Sequence, residues 1–390
     1  MRTRVAIVGA GPAGLLLSHL LHLQGVESVV VDVRSREDIE QTVRAGVLEQ
    51  PTVDLLTEVG LGDRLKAEGQ EHHGIHLQFA GERRRIDLLG LTGRAVTVYA
   101  QHEVLKDLIA ARLAAGGDLR FGVTDVSVEG VEGDAPRLRF TQDGQEHVVD
   151  CDFVAGCDGS QTGTRSLIPE GRVRRDFFRQ YPFAWFGILA EAPPSSDELI
   201  YAHSDRGFAL VSTRSPTIQR MYLQVDPDDS VDAWSDDRIW SELATRVALD
   251  GGTLQEGPIF AKSILRFRSF VCEPMQHGRL FLAGDAAHTV PPTGAKGMNL
   301  AIADIHVLSR AFVEHYRTGS SALLDAYSGT VLDRVWRAQH YSYWLTSMLH
   351  RFSGATDFDL RRQVAELRTV TESPYGARLL AEEYVGRPLP

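Results

Sequence analysis

Glycines near the start of the chain have the spacing of a phosphate-binding turn. Gly9, Gly11 and Gly14 form a G-x-G-x-x-G pattern between an apolar segment and a predicted helix, and Asp32 ends the next apolar segment. Missing side chains let the backbone approach a pyrophosphate, the helix N-terminus supplies N–H donors, and the carboxylate can accept ribose hydroxyls. A glycine-rich turn without a ligand has the same pattern, so the strand before it and the helix after it carry the prediction.

Two later segments could complete a nucleotide site. The sequence CDG at residues 157–159 and the sequence GD at residues 284–285 each follow an apolar run, and a helix that carries Met298 and Asn299 comes after the second. An aspartate just past a buried strand can hold a polyol hydroxyl, and a helix N-terminus can offer N–H groups to an electron-rich ring. Each segment alone is also typical of an ordinary turn, and only their combination favours a nucleotide.

Polar residues in a predicted β-rich segment could bind a carboxylate. Ser212, Arg214, Arg220 and Tyr222 stand at alternating positions, which places them on one face of each strand. A guanidinium can form two parallel bonds to a carboxylate, and hydroxyls can satisfy the remaining lone pairs. The alternative is a surface arginine with a packed stem.

The elements that must position these residues follow from apolar periodicity. A strand over 4–8, a helix over 12–24 and a strand over 28–33 are the nucleotide-binding half of a doubly wound sheet. Further helices are predicted over 103–115, 235–247 and 297–315. Alternation predicts strands over 75–79, 86–88, 96–99, 119–128, 137–141, 148–153, 185–190, 198–203, 208–212, 220–225 and 280–283.

We therefore predict an α/β fold, in which a doubly wound nucleotide-binding domain is interleaved with a β-sheet substrate domain. Residues 1–70, 100–180 and 268–345 are assigned to the first domain, and residues 71–99 and 181–267 to the second. Residues 346–390 form a helical C-terminal segment.

Composition excludes several classes of protein. The 390 residues are 43% hydrophobic and 24% charged, which is ordinary for a globular protein, and the net charge of −11 disfavours nucleic acid as a partner. Three cysteines do not make a disulfide framework, so we expect a reducing cytoplasm. The apolar run after Arg2 and Arg4 imitates a secretory signal, but its glycines favour a folded turn. No other apolar stretch reaches membrane-spanning length.

Other kinds of site find little support. His72 and His76 lie in an alternating, strand-like segment and not on a helix face, so no metal is expected there. Cys151 and Cys157 lack a second cysteine pair that would complete four ligands. Ser160 is out of register for a nucleophile elbow, which disfavours a hydrolase.

Longer motifs around these positions resemble the single-component FAD-dependent aromatic-ring hydroxylases, most of all those acting on 4-hydroxybenzoate. The motifs are RAGVLEQ at 44–50, CDG at 157–159, Tyr201, S-x-R at 212–214, EPMQHGR at 273–279 and PPTGAKG at 291–297. The likeness runs from Val5 to Tyr384. It implies hydroxylation of 4-hydroxybenzoate to 3,4-dihydroxybenzoate with FAD, NAD(P)H and O2, through a flavin hydroperoxide.

The resemblance also implies contacts with FAD. It assigns the pyrophosphate to Gly9, Gly11 and Gly14, the adenosine ribose to Asp32, the phosphate and ribityl region to Arg44 and Gln101, the ribityl chain to Asp285, and the flavin ring to Met298 and Asn299. At position 32 the family more usually has Glu, so Asp keeps the charge but shortens the reach.

Substrate contacts are implied in the same way. Ser212, Arg214 and Tyr222 would bind the benzoate carboxylate. Tyr201, Tyr384 and the backbone carbonyl of Pro292 would hold the phenol oxygen, with His72 as the proton acceptor at the solvent end of the chain. Arg220 would hold the flavin against the substrate or let it swing out. Removing the phenol proton raises the electron density on the adjacent ring carbon, which is the position hydroxylated.

The family's nicotinamide contacts are where this sequence departs most. The resemblance assigns nicotinamide binding to Arg34, Arg44, Arg165 and Arg268. Arg34, Arg36, Arg165 and Arg268 would attract a 2′-phosphate, whereas Glu37 and Asp38 would repel it. Val33, Asp38 and Gln161 replace the residues that NADPH-using members tend to have. We predict that NADH is accepted and preferred.

Two alternatives stay open at this point. A few wall residues could redirect the site to another phenol acid, and a flavoprotein sensor could hold FAD without turnover. By resemblance, the aromatic-bearing C-terminal helices indicate a homodimer.

Overall fold

The computed structural model describes residues 1–42, 46–249 and 254–390. Its strands are β1 Val5–Val8, β2 Ser28–Asp32, β3 Val47–Glu49, β4 Gln70–His72, β5 Gly74–Phe79, β6 Glu82–Asp87, β7 Val96–Val98, β8 Asp118–Phe121, β9 Thr124–Glu129, β10 Arg137–Gln142, β11 Gln145–Asp150, β12 Phe153–Gly156, β13 Arg175–Glu191, β14 Ile200–Ala202, β15 Ala209–Ser215, β16 Ile218–Val225, β17 Ile259–Glu273, β18 Gln276–His277, β19 Leu280–Leu282 and β20 His288–Thr289.

The helices fall into an N-terminal, a central and a C-terminal group. They are α1 Pro12–Leu23, α2 Arg36–Gln41, α3 Gln50–Glu58, α4 Gly62–Glu68, α5 Leu88–Thr92, α6 Gln101–Ala114, α7 Asp236–Arg246, α8 Gly297–Thr318, α9 Ala322–Leu349, α10 Asp357–Glu372 and α11 Pro374–Val385.

The first large sheet is the doubly wound sheet that the glycine pattern predicts. Its strand order is β18-β19-β12-β1-β2-β8, and all neighbours pair in parallel except the short edge strand β18. Strand β1 is fully apolar and buried, as expected for a central parallel strand. The α/β fold class is confirmed.

The second large sheet is mostly antiparallel, in the order β20-β17-β13-β16-β15-β14-β5-β6. Strand β17 pairs with β13 along most of its length, and the sequence analysis missed it. The residues of β17 are half-exposed and mixed in polarity, so they give no clear alternation. The limits of the two predicted domains stay a prediction.

Three predicted strands were wrong in detail. The segment 119–128 is two strands in different sheets, β8 and β9, because Gly122 has a φ of +67° that turns the chain. The segment 148–153 likewise divides between β11 and β12. The strand over 86–88 ends at Asp87, whose carboxylate accepts the Gly90 N–H and caps helix α5.

The C-terminal helices close the second sheet on one side. Side chains of α9, α10 and α11 join a buried cluster that also contains Trp185, Tyr201 and Tyr222 from the sheet. Within the described ranges, no helix has the length and apolar content needed to cross a membrane.

Candidate functional site

A cavity of about 1480 Å³ runs between the two large sheets and brings the predicted groups together. Gly9, Gly11 and Asp32 line one end, and Arg214 and Tyr222 line the other. The N-terminal part of α8 borders the space between them, with Gly297 and Met298 in the wall. Segments far apart in sequence therefore form one continuous site.

The glycine turn has no room for side chains at Gly9 and Gly14. A Cβ at Gly14 would lie 1.9 Å from the Gly9 carbonyl oxygen, and one at Gly9 would lie 2.2 Å from the Cys157 carbonyl oxygen. Gly9 also has a φ of +108°, which favours glycine. Gly11 lines the cavity, and a Cβ there would meet no atom within 4 Å. The turn therefore fits close approach of a pyrophosphate at the N-terminus of α1.

Asp32 lies at the end of β2, as predicted, and its carboxylate already has several donors. One oxygen accepts the Ala10 N–H at 2.7 Å, and the other accepts the Arg34 N–H at 2.8 Å. The Arg34 guanidinium also pairs with this carboxylate at 2.9 Å. Arg34 therefore neutralises Asp32 at the cavity wall.

The turn after β19 presents Asp285 to the cavity. Gly284, with a φ of +64°, starts the turn, and its N–H donates to the buried Asp304 carboxylate at 2.9 Å. The same carboxylate oxygen lies 2.6 Å from Nε2 of His288, which raises the pKa of this histidine against the opposing effect of burial. A buried His–Asp pair thus anchors the loop that carries Asp285.

The other predicted cofactor residues differ in their exposure to the cavity. Gln101 and Met298 line it. Asn299 is buried, and its side chain accepts the Glu49 N–H at 3.0 Å and donates to the carbonyls of Val47 and Ala295 at 2.9 Å. The side-chain amide of Asn299 therefore fixes strand β3 to the start of α8. Because this amide is engaged, Asn299 would contact a ligand through its backbone groups.

Asp158 has a different environment from Asp285. Its carboxylate accepts the Thr162 and Thr164 hydroxyls and the N–H groups of Gly163 and Thr164. Both oxygens are engaged in stabilising their own turn. The polyol-binding role suggested by the sequence therefore rests on Asp285.

At the far end of the cavity, Arg214 is a cation without an acidic partner among the described residues. Its Nε and Nη1 atoms are buried and have no hydrogen-bond partner within the described ranges. Burial lowers the pKa of Arg214 to about 10, partly opposed by the neighbouring Tyr222. A buried guanidinium that faces a cavity, with two unsatisfied donors and no acidic partner among the described residues, is suited to a ligand anion.

The residues predicted beside Arg214 are in place. Ser212 pairs with Arg220 across β15 and β16, and its hydroxyl donates to the Arg220 carbonyl at 2.8 Å. The Arg220 guanidinium lies 5.1 Å from the centre of the Tyr222 ring. All four residues line the cavity.

Two tyrosines form a buried hydrogen bond near this end. The hydroxyls of Tyr201 and Tyr384 are 2.7 Å apart, and Tyr201 and Pro292 line the cavity. Burial raises the pKa of Tyr201 to about 12 and raises the pKa of Tyr384 well above its ordinary value. Both hydroxyls are therefore protonated near neutrality and can pass a proton along the pair.

His72 is buried at the end of β4, and neither ring nitrogen has a hydrogen-bond partner in the described part of the chain. Burial lowers its pKa, with Glu198 and Asp197 opposing the shift. The structure shows no bond that joins it to Tyr384. Its role as a proton acceptor stays a prediction.

The predicted nicotinamide residues are spread around the cavity mouth. Arg34, Gln161 and Arg268 line the cavity, and Val33 is 65% exposed. The Arg165 guanidinium instead donates to the Ala286 carbonyl at 2.9 Å and lies 4.3 Å from the Phe270 ring centre. Arg44 lies outside the described residues.

Sequence reasoning missed two features of the site. Trp185 of β13 lines the cavity, and the buried Lys296 lies 2.6 Å from the Glu49 carboxylate just before α8. The motifs RAGVLEQ and PPTGAKG contain Glu49 and Lys296, but no spacing rule joins residues so distant in sequence. No group of three or more potential metal-ligating side chains occurs within residues 1–42, 46–249 and 254–390.

Comparisons with known proteins show the family of the chain. A family model described as an FAD binding domain matches residues 2–342. The chain is 48% identical over 390 residues to p-hydroxybenzoate hydroxylase of Acinetobacter baylyi, which covers all of this chain and 96% of that protein. It is 28% identical over 343 residues to 3-(3-hydroxy-phenyl)propionate/3-hydroxycinnamic acid hydroxylase of Paraburkholderia xenovorans, which covers 83% of this chain and 52% of that protein.

A solved structure of p-nitrophenol 4-monooxygenase from Pseudomonas putida has the same fold. The two structures superpose with a TM-score of 0.82 at 19% identity, and the match covers 99% of each chain. At this identity the likeness concerns the fold alone.

Proposed function

Because the chain belongs to the FAD-binding aromatic hydroxylase family that includes p-hydroxybenzoate hydroxylase, we propose that it converts 4-hydroxybenzoate to 3,4-dihydroxybenzoate. The reaction consumes one O2 and one reduced nicotinamide, and the second oxygen atom leaves as water. Bound FAD would take electrons from the nicotinamide and activate oxygen. The observation that carries the substrate proposal is Arg214, at the end of the cavity opposite the glycine turn, whose buried Nε and Nη1 atoms have no hydrogen-bond partner among the described residues.

The carboxylate of the substrate would bind at Arg214. The guanidinium supplies the charge, and the hydroxyls of Ser212 and Tyr222 lie on the same cavity wall. A carboxylate in this position would supply the acceptor that the buried Nε and Nη1 atoms lack. Binding a neutral ring in the same orientation would leave these donors unsatisfied, so the site selects a ring acid.

The phenol group would lie at Tyr201 and the Pro292 carbonyl. Tyr201 can accept the phenol proton only while it passes its own proton to Tyr384, because burial keeps both tyrosines protonated. The pair would thus transfer the proton and leave electron density on the ring. His72 would receive this proton at the solvent end.

At the cofactor end, we propose the contacts already named in the sequence. Gly9, Gly11 and Asp32 would hold the dinucleotide, and Asp285 would hold the ribityl chain. Arg44, Gln101, Met298 and the backbone at Asn299 would complete the site. Arg220, between the two ends, would hold the flavin ring against the substrate.

The test is oxygen consumption together with product identification. The purified protein reconstituted with FAD is expected to consume O2 when NADH and 4-hydroxybenzoate are present, with one 3,4-dihydroxybenzoate formed per O2 when turnover is fully coupled. A sensor flavoprotein would show no substrate-dependent uptake. Uptake only with a different ring acid, from a panel of substituted benzoates, would assign another phenol acid.

We also propose that NADH is the preferred nicotinamide. Val33 is exposed at the cavity mouth, and the nearby Arg34 is paired with Asp32, which reduces its attraction for a 2′-phosphate. Arg165 is likewise engaged with a backbone carbonyl, whereas Arg268 lines the cavity. We expect the kcat/KM for NADH to exceed that for NADPH by about tenfold or more. A tenfold preference for NADPH would contradict the proposal.

A homodimer and a cytoplasmic location complete the proposal. Phe358, Tyr375 and Leu379 of the C-terminal helices are each more than half exposed, which favours contact with a second copy. The three cysteines are buried free thiols, as is usual in a reducing compartment. Light scattering tests the first point, since a monomer mass would contradict it.

A further inference from the structure

Trp185 forms part of the cavity wall beside the carboxylate end. Its ring centre lies 4.7 Å from that of Tyr222 and 5.2 Å from that of Phe208. Its position therefore constrains Tyr222, which in turn borders Arg214. A shift of this indole would displace the wall against which a substrate ring packs.

The indole is held by a buried histidine from the end of a distant helix. Nε1 of Trp185 donates to Nε2 of His350 at 2.7 Å, and Nδ1 of His350 lies 3.0 Å from the Thr346 carbonyl. Since a carbonyl accepts only, Nδ1 carries the proton and Nε2 is the acceptor for the indole. The two bonds fix both the tautomer and the ring orientation.

The surroundings of His350 keep it neutral and packed between two aromatic rings. The ring stacks on Phe208 with centres 4.4 Å apart and on Phe183 at 4.7 Å. Burial lowers its pKa to about 3, so its Nε2 remains an acceptor throughout the neutral range. The Gln363 amide also donates to the His350 carbonyl at 2.8 Å, which fixes the backbone.

We propose that His350 is a positioning residue for substrate binding, acting through its hydrogen bond to Trp185. The proposal rests on the proposed function, since the ligand that it affects is 4-hydroxybenzoate. His350 is not itself in the cavity wall formed by the described residues. His350 contacts Trp185 through the hydrogen bond and Phe208 through ring stacking, and the proposal assigns its effect on the ligand to the first contact, by way of Trp185 and Tyr222.

The test is a double-mutant cycle on the FAD-loaded protein, with the Kd of 4-hydroxybenzoate read from the flavin spectrum. His350→Phe keeps an aromatic ring but leaves the indole N–H without an acceptor, so we expect the Kd to rise about tenfold. His350→Gln can still accept this bond and should restore most of the affinity. In a Trp185→Phe background, His350→Phe should cause no further loss.

A nearby histidine provides the matched control. His203 is also buried, and its Nδ1 lies 3.1 Å from the Leu349 carbonyl, but it has no bond to Trp185. His203→Phe should leave the Kd within about twofold of the wild type. Additive losses in the cycle, or an equal loss with His203→Phe, would overturn the proposal.

A spectroscopic measurement separates this proposal from the proposed function. The near-ultraviolet circular dichroism of the wild type minus that of Trp185→Phe isolates the indole signal without any substrate. His350→Phe should change this difference spectrum, and His350→Gln should retain it. An unchanged spectrum overturns the positioning role, whereas failure of the wild type to bind 4-hydroxybenzoate would refute the proposed function alone. If His350→Phe does not fold, the shorter amide of His350→Asn replaces it in both measurements.

Discussion

The two ends of the cavity are built in different ways. At the glycine turn, the structure depends on backbone groups and on the absence of side chains at Gly9 and Gly14. At the carboxylate end, it depends on side chains such as Arg214 and Tyr201 that come from separate elements. The cofactor end is a local motif, whereas the substrate end exists only after long-range packing.

The two ends of the cavity therefore tolerate different kinds of substitution. The backbone-built site fails when a side chain is added at Gly9 or Gly14, because the nearest atoms are carbonyl oxygens that cannot move aside. A side-chain-built site changes by degrees, because each residue supplies one contact.

Gly14→Ala should abolish FAD binding, lowering affinity by about a thousandfold or more, because the new Cβ would lie 1.9 Å from the Gly9 carbonyl oxygen. Gly329→Ala is the matched control. Gly329 also lies within a helix, but a Cβ there meets no atom within 4 Å. Flavin fluorescence after ultrafiltration measures both variants, and normal FAD retention by Gly14→Ala would refute the steric account.

Tyr201→Phe should slow hydroxylation by about a hundredfold with a much smaller change in substrate Kd, because it interrupts proton transfer to Tyr384. Tyr384→Phe should act in the same direction. Rapid-mixing absorbance measures the step, and Tyr343→Phe, on a half-exposed ring of α9, is the control. If Tyr201→Phe hydroxylated the substrate as fast as the wild type, proton transfer through Tyr201 and Tyr384 would be excluded.

Arg214→Gln should raise the Kd of 4-hydroxybenzoate by about thirty- to a hundredfold, because the amide has no charge for the carboxylate. The matched control is a second ligand, 4-hydroxybenzaldehyde, tested on the same two proteins. 4-Hydroxybenzaldehyde lacks the carboxylate, so its weak binding should hardly differ between wild type and variant. Equal losses for both ligands would mean that Arg214 shapes the cavity without binding the anion.

The smallest predicted effect concerns stability. Burial lowers the pKa of His350 from 6.5 to about 3, so below pH 6.5 the unfolded chain takes up a proton that the folded protein rejects. The buried neutral histidine therefore contributes fully to the free energy of unfolding above pH 6.5. This contribution decreases by about 1.4 kcal/mol per pH unit as the pH falls toward 3. Urea unfolding between pH 7 and 5 should show a shallower pH dependence for His350→Gln. If the free energies of unfolding of the wild type and His350→Gln changed equally with pH, the lowered pKa of His350 would be contradicted.

The same contrast decides what could be predicted from the sequence. The doubly wound sheet and the positions of the glycine turn and Asp32 in it follow from local spacing, and the structure has them as predicted. Their contacts with FAD stay a prediction. The set Ser212, Arg214 and Tyr222 could be grouped because alternation along two adjacent strands brings them to one face.

Contacts between distant elements left no such signal. The Trp185–His350 bond joins a strand to the end of a helix, and the Glu49–Lys296 pair joins residues 247 positions apart. The engagement of Asp158 by its own turn was also hidden, because the sequence shows a carboxylate but not its hydrogen-bond donors. Long-range packing decides these features, and only the folded structure reveals them.

The central claim is that the two ends of the cavity act as one site. The most direct test follows the visible absorbance of the bound flavin without oxygen, after mixing with NADH, in the presence and absence of 4-hydroxybenzoate. We expect the ring acid to accelerate flavin reduction by about a hundredfold or more in the wild type, and this acceleration to be lost in Arg214→Gln. A reduction rate that is independent of 4-hydroxybenzoate would contradict the claim.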